Sequence, residues 1–320
     1  MESAIREFEL IADVFAPLAD SKGALRLKDD VALLRARAGH DVVVTTDAIV
    51  EGIDFFANDP PDTIAKKALR VNLSDLAAKG AEPLGYLLTL MLPERINSAW
   101  LRKFARGLKA DQKKFGVSLY GGDMSATRGP LSVSITAFGH VPRGRAILRG
   151  GAKPGDIVFV TGTIGDGGGG LAALKSKRGD HFLIRRYRLP EPRVAFGLRL
   201  RGVATAAIDV SDGLLADLGH IADVSKVHVV VELSRVPLSK SLQRAWGIHK
   251  AARVRAATAG DDYEIAFTAP PRSREKIVEA ARKSRTAVTE IGYVKAGWGV
   301  VLLGAGGKPI RVKRKGWEHF

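Results

Sequence analysis

Cysteine is absent from the 320-residue chain, which removes structural disulfides, thiolate metal sites, thiol nucleophiles and redox relays together. A cytoplasmic address is the expectation that follows. Long apolar runs are also missing, since the longest, Pro83 to Pro93, falls short of the ~20 residues a membrane-spanning helix needs. Residues 1 to 20 carry acids throughout and lack the apolar core and cleavage site of a signal peptide, so neither export nor a membrane span is expected. No GxxxxGK[ST] occurs, which excludes a P-loop, and the HRD and DFG of protein kinases are absent.

Acidic residues are the scarcer charge, 34 against 50 Lys and Arg, for a net charge of +16. Residues 1 to 148 hold 20 basic and 18 acidic side chains, whereas residues 149 to 320 hold 30 and 16. A basic half points to anionic partners. Its tracts, such as Lys313-Arg314-Lys315, are short and come with neither zinc-finger spacing nor an RNA-stacking signature, which favours small phosphates over nucleic acid. A non-catalytic nucleic-acid binder is the alternative from another class. Hydrophobic content of 46% and charged content of 26% describe a folded globule.

What is present is an alternation of strands and helices. Ser3, Ile5, Phe8, Ile11 and Phe15 predict a first helix before Pro17, and β-branched residues 41–48 predict a strand that delivers Thr45, Thr46 and Asp47. A helix follows over 62–79, then a strand near 84–92, a helix from Asn97, a strand over 117–120 running into Gly121-Gly122-Asp123, and a strand over 131–141. The turn-rich GGAKPGD at 150–156 marks a junction where the charge balance changes. Beyond it come a strand over 157–161, a glycine-rich lead into a helix, a helix over 211–224, strands near 227–233 and 264–268, a helix over 273–284 and strands within 287–303. The pattern predicts a mixed α/β fold in two domains, 1–148 and 149–320.

The chemistry lies in recurring aspartates beside small or hydroxyl residues: Asp29-Asp30, Thr45-Thr46-Asp47, Ser74-Asp75, Gly121-Gly122-Asp123, Asp209-Val210-Ser211-Asp212 and Gly260-Asp261-Asp262. Any one of them serves equally as a helix cap or turn. As a set they offer the hard oxygen ligands Mg²⁺ prefers, and histidine is missing from them, which disfavours zinc. Mg²⁺ on scattered carboxylates implies phosphate chemistry. The four glycines at 167–170 suit either a phosphate cradle at a helix N-terminus or tight helix packing.

The stretches TTDAIVEGID (45–54), KALRVNLSDLAAKG (67–80), YGGD (120–123), GGAKPGDIVFVTGTIGD (150–166), IDVSDGLLADLG (208–219) and GDDYEIAFT (260–268), with the terminal GWEHF, resemble thiamine-monophosphate kinases over nearly the whole chain. That family belongs to the ATP-binding group typified by aminoimidazole ribonucleotide synthase. The resemblance implies a PurM-like N-terminal domain pairing across a homodimer, a PurM-like C-terminal domain, and transfer of phosphate from ATP to thiamine monophosphate. It assigns metal-binding roles to Asp30, Thr45, Thr46, Asp47, Asp75, Asp123, Asp209 and Asp212, with Asp29 beside them. ATP contacts fall to Gly122, Asp123, Arg149 and Ser211, and thiamine contacts to Asp54, Asp261 and Trp317. The chain departs from the family in having Asp54 where His is usual, Asp261 where Glu is usual, and Leu25-Arg26-Leu27-Lys28 in place of a glycine-rich lead. Within the same group, families that depend on a reactive cysteine or selenocysteine do not fit. An aminoimidazole ribonucleotide synthase-like ligase is the enzymatic runner-up.

Overall fold

The structure is a computed structural model that describes residues 7–176 and 179–317. Two compact units emerge: Met1–Leu76 with Glu82–Gly144, and Ala77–Ala81 with Arg145–Phe320. Among the described residues, no helix is long and apolar enough to cross a membrane.

The first unit contains α1 (Glu7–Leu10), β1 (His40–Val50), α2 (Pro61–Ala78), β2 (Glu82–Pro93), α3 (Ser98–Phe115), β3 (Ser118–Thr127) and β4 (Ser132–Pro142). Of the expected first helix, Ser3 and Ile5 lie outside the described residues, and α1 runs on into a π-helical and a 3₁₀ turn ending at Leu18. α3 starts where Asn97 Oδ1 accepts the Trp100 N–H and stops at Gly116, whose φ of 69° is left-handed. The sheet order is β1-β4-β2-β3, with only β2 and β3 parallel.

Register divides this sheet into two faces. Thr45, Asp47 and Ile49 line up with Ala137, Ile135 and Val133 and then with Tyr86, Leu88 and Leu90, and the apolar members of these rows are buried. Val42, Val44, Leu87 and Met91 point the other way and are exposed. The strand expected over 117–120 is longer than that. β3 continues to Thr127, so Gly121, Gly122 and Asp123 are strand residues paired with Leu87, Leu88 and Thr89, not a turn after it. Pairing with β2 supplies the backbone hydrogen bonds that let this glycine-rich segment stay extended.

The second unit contains β5 (Ile157–Thr161), α4 (Asp166–Ser176), α5 (His181–Arg188), α6 (Val194–Leu200), β6 (Ala206–Asp209), α7 (Leu214–Ser225), β7 (His228–Glu232), α8 (Lys240–Trp246), α9 (Lys250–Ala257), β8 (Ile265–Ala269), α10 (Arg274–Ser284), β9 (Val288–Lys295), β10 (Gly299–Leu303) and β11 (Pro309–Ile310). Its sheet runs β11-β10-β7-β9-β5-β8-β6. β5 and β8 are buried along their whole length because both faces of the sheet are covered. One core holds Val158, Val160, Ile208, Leu214 and Leu218, the other Phe159, Phe196, Leu200, Phe267 and Ile277. The helix expected from Ser211 begins at Leu214 instead, since Gly213 has a φ of 127° and residues before it stay non-helical.

Candidate functional site

In the first unit, β1 and α2 bring several of the expected residues together. Thr45 Oγ1 donates to Asp75 Oδ2 at 2.6 Å, joining the strand to the helix. Asp47 shares that face, and its carboxyl is pushed up to about 6 by burial, then by the Asp75 and Asp54 carboxylates nearby. Asp54 sits in the turn after β1, where its Oδ2 accepts the Val50 N–H at 2.8 Å. Lys67 Nζ donates to the Asp54 carbonyl. Thr46 faces the other side, with its hydroxyl 3.2 Å from the Ile135 carbonyl and 3.0 Å from Thr136 Oγ1.

A second cluster occupies the open side of the same unit. Asp29, Asp30, Gly122, Asp123, Thr136 and Tyr120 line a cavity of about 750 Å³. Asp29 and Asp30 are exposed in the loop after the turn Lys22–Leu27, where Leu25, Arg26 and Leu27 all have positive φ. At Gly122 a Cβ would lie 1.8 Å from the Leu88 carbonyl oxygen, so the close approach of β2 admits only glycine. Asp123 Oδ2 accepts from Ser125 Oγ at 3.3 Å.

In the second unit, the site is a loop held by its neighbours. Asp209 is buried at the end of β6, and the next three carbonyls each accept one amide. Val210 takes the Tyr263 N–H at 2.7 Å, Ser211 the Asp261 N–H at 2.8 Å, and Asp212 the Trp317 N–H at 2.9 Å. Ser211 and Asp212 are thus brought against Asp261 and Trp317. Arg149 lies on an exposed segment, its carbonyl accepting from Ser225 Oγ, and its guanidinium has no side-chain partner among the described residues. The Trp317 ring is 52% exposed with the Arg314 guanidinium 5.5 Å from its centroid, a cation already drawn to its face.

The sequence GDDYE alternates inward and outward. Asp261 and Tyr263 have φ of 67° and 53°, half-buried, with the Tyr263 hydroxyl donating to Asp261 Oδ1 at 3.3 Å. Asp262 and Glu264 between and after them are fully buried. Asp262 accepts the N–H groups of Gly165 and Gly167, and burial raises its pKa. Glu264 receives Arg193 through two bonds, Arg186 and Thr161. The amides that begin α4 are therefore occupied by the protein's own carboxylate, and the glycines are packing residues. A Cβ at Gly167 would come within 2.2 Å of the Asp261 carbonyl oxygen, and at Gly170 within 2.1 Å of that of Leu183. Of the two readings of glycines 167–170, tight packing is the one the fold uses.

Sequence reasoning counted Asp262 among the paired aspartates without separating it from Asp261, and passed over Glu264, Arg186, Arg193, Asp217 and His220. Donor atoms of Asp212, Asp217 and His220 all lie within 4.8 Å of one another. Asp217 accepts the N–H groups of Asp212 and Gly213, and burial with Asp212 beside it pushes its carboxyl up to about 7. The three-residue step from Asp217 to His220 on α7 was the available signal, because such pairs share a helix face.

Comparison with known proteins supplies the class. Residues 28–141 match the family model for the N-terminal domain of AIR synthase related proteins, and residues 153–304 that for their C-terminal domain. The chain is an AIR synthase related protein in both of its domains. A curated thiamine-monophosphate kinase of Caulobacter vibrioides is 46% identical over 320 residues, covering 98% of this chain and 90% of the relative. The crystal structure of thiamine-monophosphate kinase from Stenotrophomonas maltophilia aligns at a TM-score of 0.82 and 40% identity, over 88% of this chain and 90% of the other. A further structure, AaThiL complexed with AMPPCP and TMP, aligns at 0.79 and 30% identity over 99% of this chain and 100% of that one. The chain belongs to the thiamine-monophosphate kinase family.

Proposed function

We infer that the protein transfers the γ-phosphate of ATP to thiamine monophosphate, giving ADP and thiamine diphosphate. Family membership over nearly the full chain carries this reading, supported by a relative solved with AMPPCP and TMP. Three carboxylate-bearing clusters, two in the first unit and one in the second, are the residues we assign to it. The crowding of Asp47, Asp75 and Asp54 fits Mg²⁺, because all donors are hard oxygens, and burial together with the neighbouring carboxylates holds a proton on Asp47 up to about 6. Asp30, Thr45, Thr46, Asp47, Asp75 and Asp123 in the first unit, and Asp209 and Asp212 in the second, would hold the ions. When bound, Mg²⁺ offsets the charge between the two anionic reactants and on the leaving ADP.

The chain's own groups account for the remaining steps. A phosphate monoester has its second pKa near ~6, so the attacking oxygen of thiamine monophosphate is largely ionised at neutral pH and needs no general base. That oxygen bonds to the γ-phosphorus of ATP as the β,γ-bridging P–O bond breaks, and ADP leaves. Arg149, its guanidinium uncommitted among the described side chains, suits the phosphates electrostatically, and Gly122, Asp123 and Ser211 complete the nucleotide contacts. Asp54, Asp261 and the open face of Trp317 suit the cationic thiazolium.

We propose a homodimer, supported by the exposed apolar residues Val42, Val44, Leu87 and Met91 on the open sheet face. A cytoplasmic location accords with the lack of cysteine. Chromatographic product analysis with MgATP tests the reaction: thiamine diphosphate and ADP should form in equal amounts. ATP consumed only with a purine precursor would favour the synthase-like alternative.

A further inference from the structure

The strongest unexplained feature is the order of the three carbonyls after β6. Val210, Ser211 and Asp212 are successive, and each binds the amide of a different residue: Tyr263, Asp261 and Trp317. The first two of those amides belong to the loop from Gly260 to Glu264, the third to the C-terminal tail. One short segment thus carries the side chains assigned to the nucleotide and metal, Asp209, Ser211 and Asp212, and anchors the backbone of the residues assigned to thiamine.

The loop needs that anchor. Asp261 and Tyr263 stand at φ of 67° and 53°, a left-handed conformation kept only where surroundings over-determine it. Their amides bond to the 210–211 carbonyls, and Asp262 between them is pinned to the Gly165 and Gly167 amides. The tail meets the same segment. Trp317 is half exposed, its amide donates to the Asp212 carbonyl, and Gly316 lies flat on α7. A Cβ at Gly316 would meet Ala216 Cβ at 2.5 Å and the Asp212 carbonyl oxygen at 2.7 Å. Nothing larger than glycine lets Trp317 reach Asp212.

We propose that the Val210–Asp212 segment couples the two substrates, so that nucleotide bound at Asp209 and Asp212 orders the Asp261 loop and the Trp317 tail for thiamine monophosphate, and the reverse. Fixing the segment with one ligand removes part of the ordering cost that the other ligand would bear, which is positive cooperativity without a large structural change. Linkage makes the effect reciprocal and equal in both directions. The inference rests on the proposed function, since it uses both of that reaction's substrates.

The test is equilibrium binding by calorimetry with the full chain, Mg²⁺ and the non-transferable analogue AMPPCP. In the wild type, saturating MgAMPPCP should tighten thiamine monophosphate binding by roughly 5-fold or more, and saturating thiamine monophosphate should tighten MgAMPPCP by the same factor. Gly316→Val, which lifts the tail off Asp212, should bring that factor to near one while MgAMPPCP alone binds as in the wild type. Ala216→Leu presses on the same contact from the α7 side and should do likewise, so a folding defect in one variant leaves the other to decide. A purely structural tail would change the separate affinities but leave their ratio intact. Wild-type affinities that are independent, in a protein that makes thiamine diphosphate, would overturn the coupling alone. Absence of that product would overturn the proposed reaction and the coupling with it.

Discussion

The two units display acidic residues in opposite ways. In the first, Thr45, Thr46, Asp47 and Asp123 stand on strands whose pairing fixes their directions, and the loop carrying Asp29 and Asp30 is exposed. In the second, Ser211, Asp212 and Asp261 stand on loops near two left-handed residues, and a layer of buried Asp262 and Glu264 with half-buried Arg186 and Arg193 holds those loops from behind. Sheet register gives direction at no extra cost. Loops need dedicated support, and that support is polar because the groups to be satisfied are backbone amides and guanidiniums. Substitutions in the layer that supports the second unit's loops should therefore disturb folding and binding together, whereas those of the outward-facing site carboxylates should separate them.

The largest expected effect breaks the buried layer. Glu264→Ala strands Arg193 and Arg186 without their shared carboxylate and should lower unfolding free energy by about 3–5 kcal/mol, read from urea denaturation. Unchanged stability would show that the layer is not what holds the loop. Asp47→Asn, Asp75→Asn or Asp212→Asn should each lower kcat by ~100-fold or more with the fold retained, because each removes charge aimed at the transition state. Turnover near that of the wild type would reduce these residues to turn formers.

A smaller effect sharpens the contrast. The native Asp47 carboxyl keeps its proton up to about 6, whereas the unfolded chain releases it near 3.8, so the native state binds the extra proton between those values. Stability from this group then falls as pH rises through that window and is fully lost above about 6. In chelator-treated protein, Asp47→Asn should be more stable than the wild type at pH 8, by about 1–3 kcal/mol, with little difference at pH 4. A variant less stable at pH 8 would contradict the burial and crowding of this carboxylate. Smallest of all is Asp54→His, which places the family's usual residue beside Asp47. The KM for thiamine monophosphate should stay the same or improve, and loss of activity would give the carboxylate that holds the Val50 amide a role of its own.

The legibility of the sequence follows the same division. β-Branched runs and an asparagine cap announced β1 and α3 because those signals are local, and the family stretches singled out the candidate aspartates. The sequence GDDYE holds three acids with no sign of which face inward, since the alternation depends on two left-handed residues that only tertiary bonds maintain. Arg186 and Arg193 belong to the basic half that pointed to anionic partners, yet they are counter-ions to a carboxylate 78 and 71 residues away in sequence. The helices α5, α6, α8 and α9, each of eight residues or fewer, are too short to show an apolar periodicity that could be read. β3 outran its expected end because pairing with β2 overrides the turn preference of two glycines.

The most direct test of phosphoryl transfer onto a phosphate acceptor follows the label from γ-³²P-ATP through a single turnover with thiamine monophosphate and Mg²⁺. The expected result is radioactivity in the terminal phosphate of thiamine diphosphate, one ADP accompanying each labelled product. Label released as inorganic phosphate, or retained entirely in ATP, would contradict it.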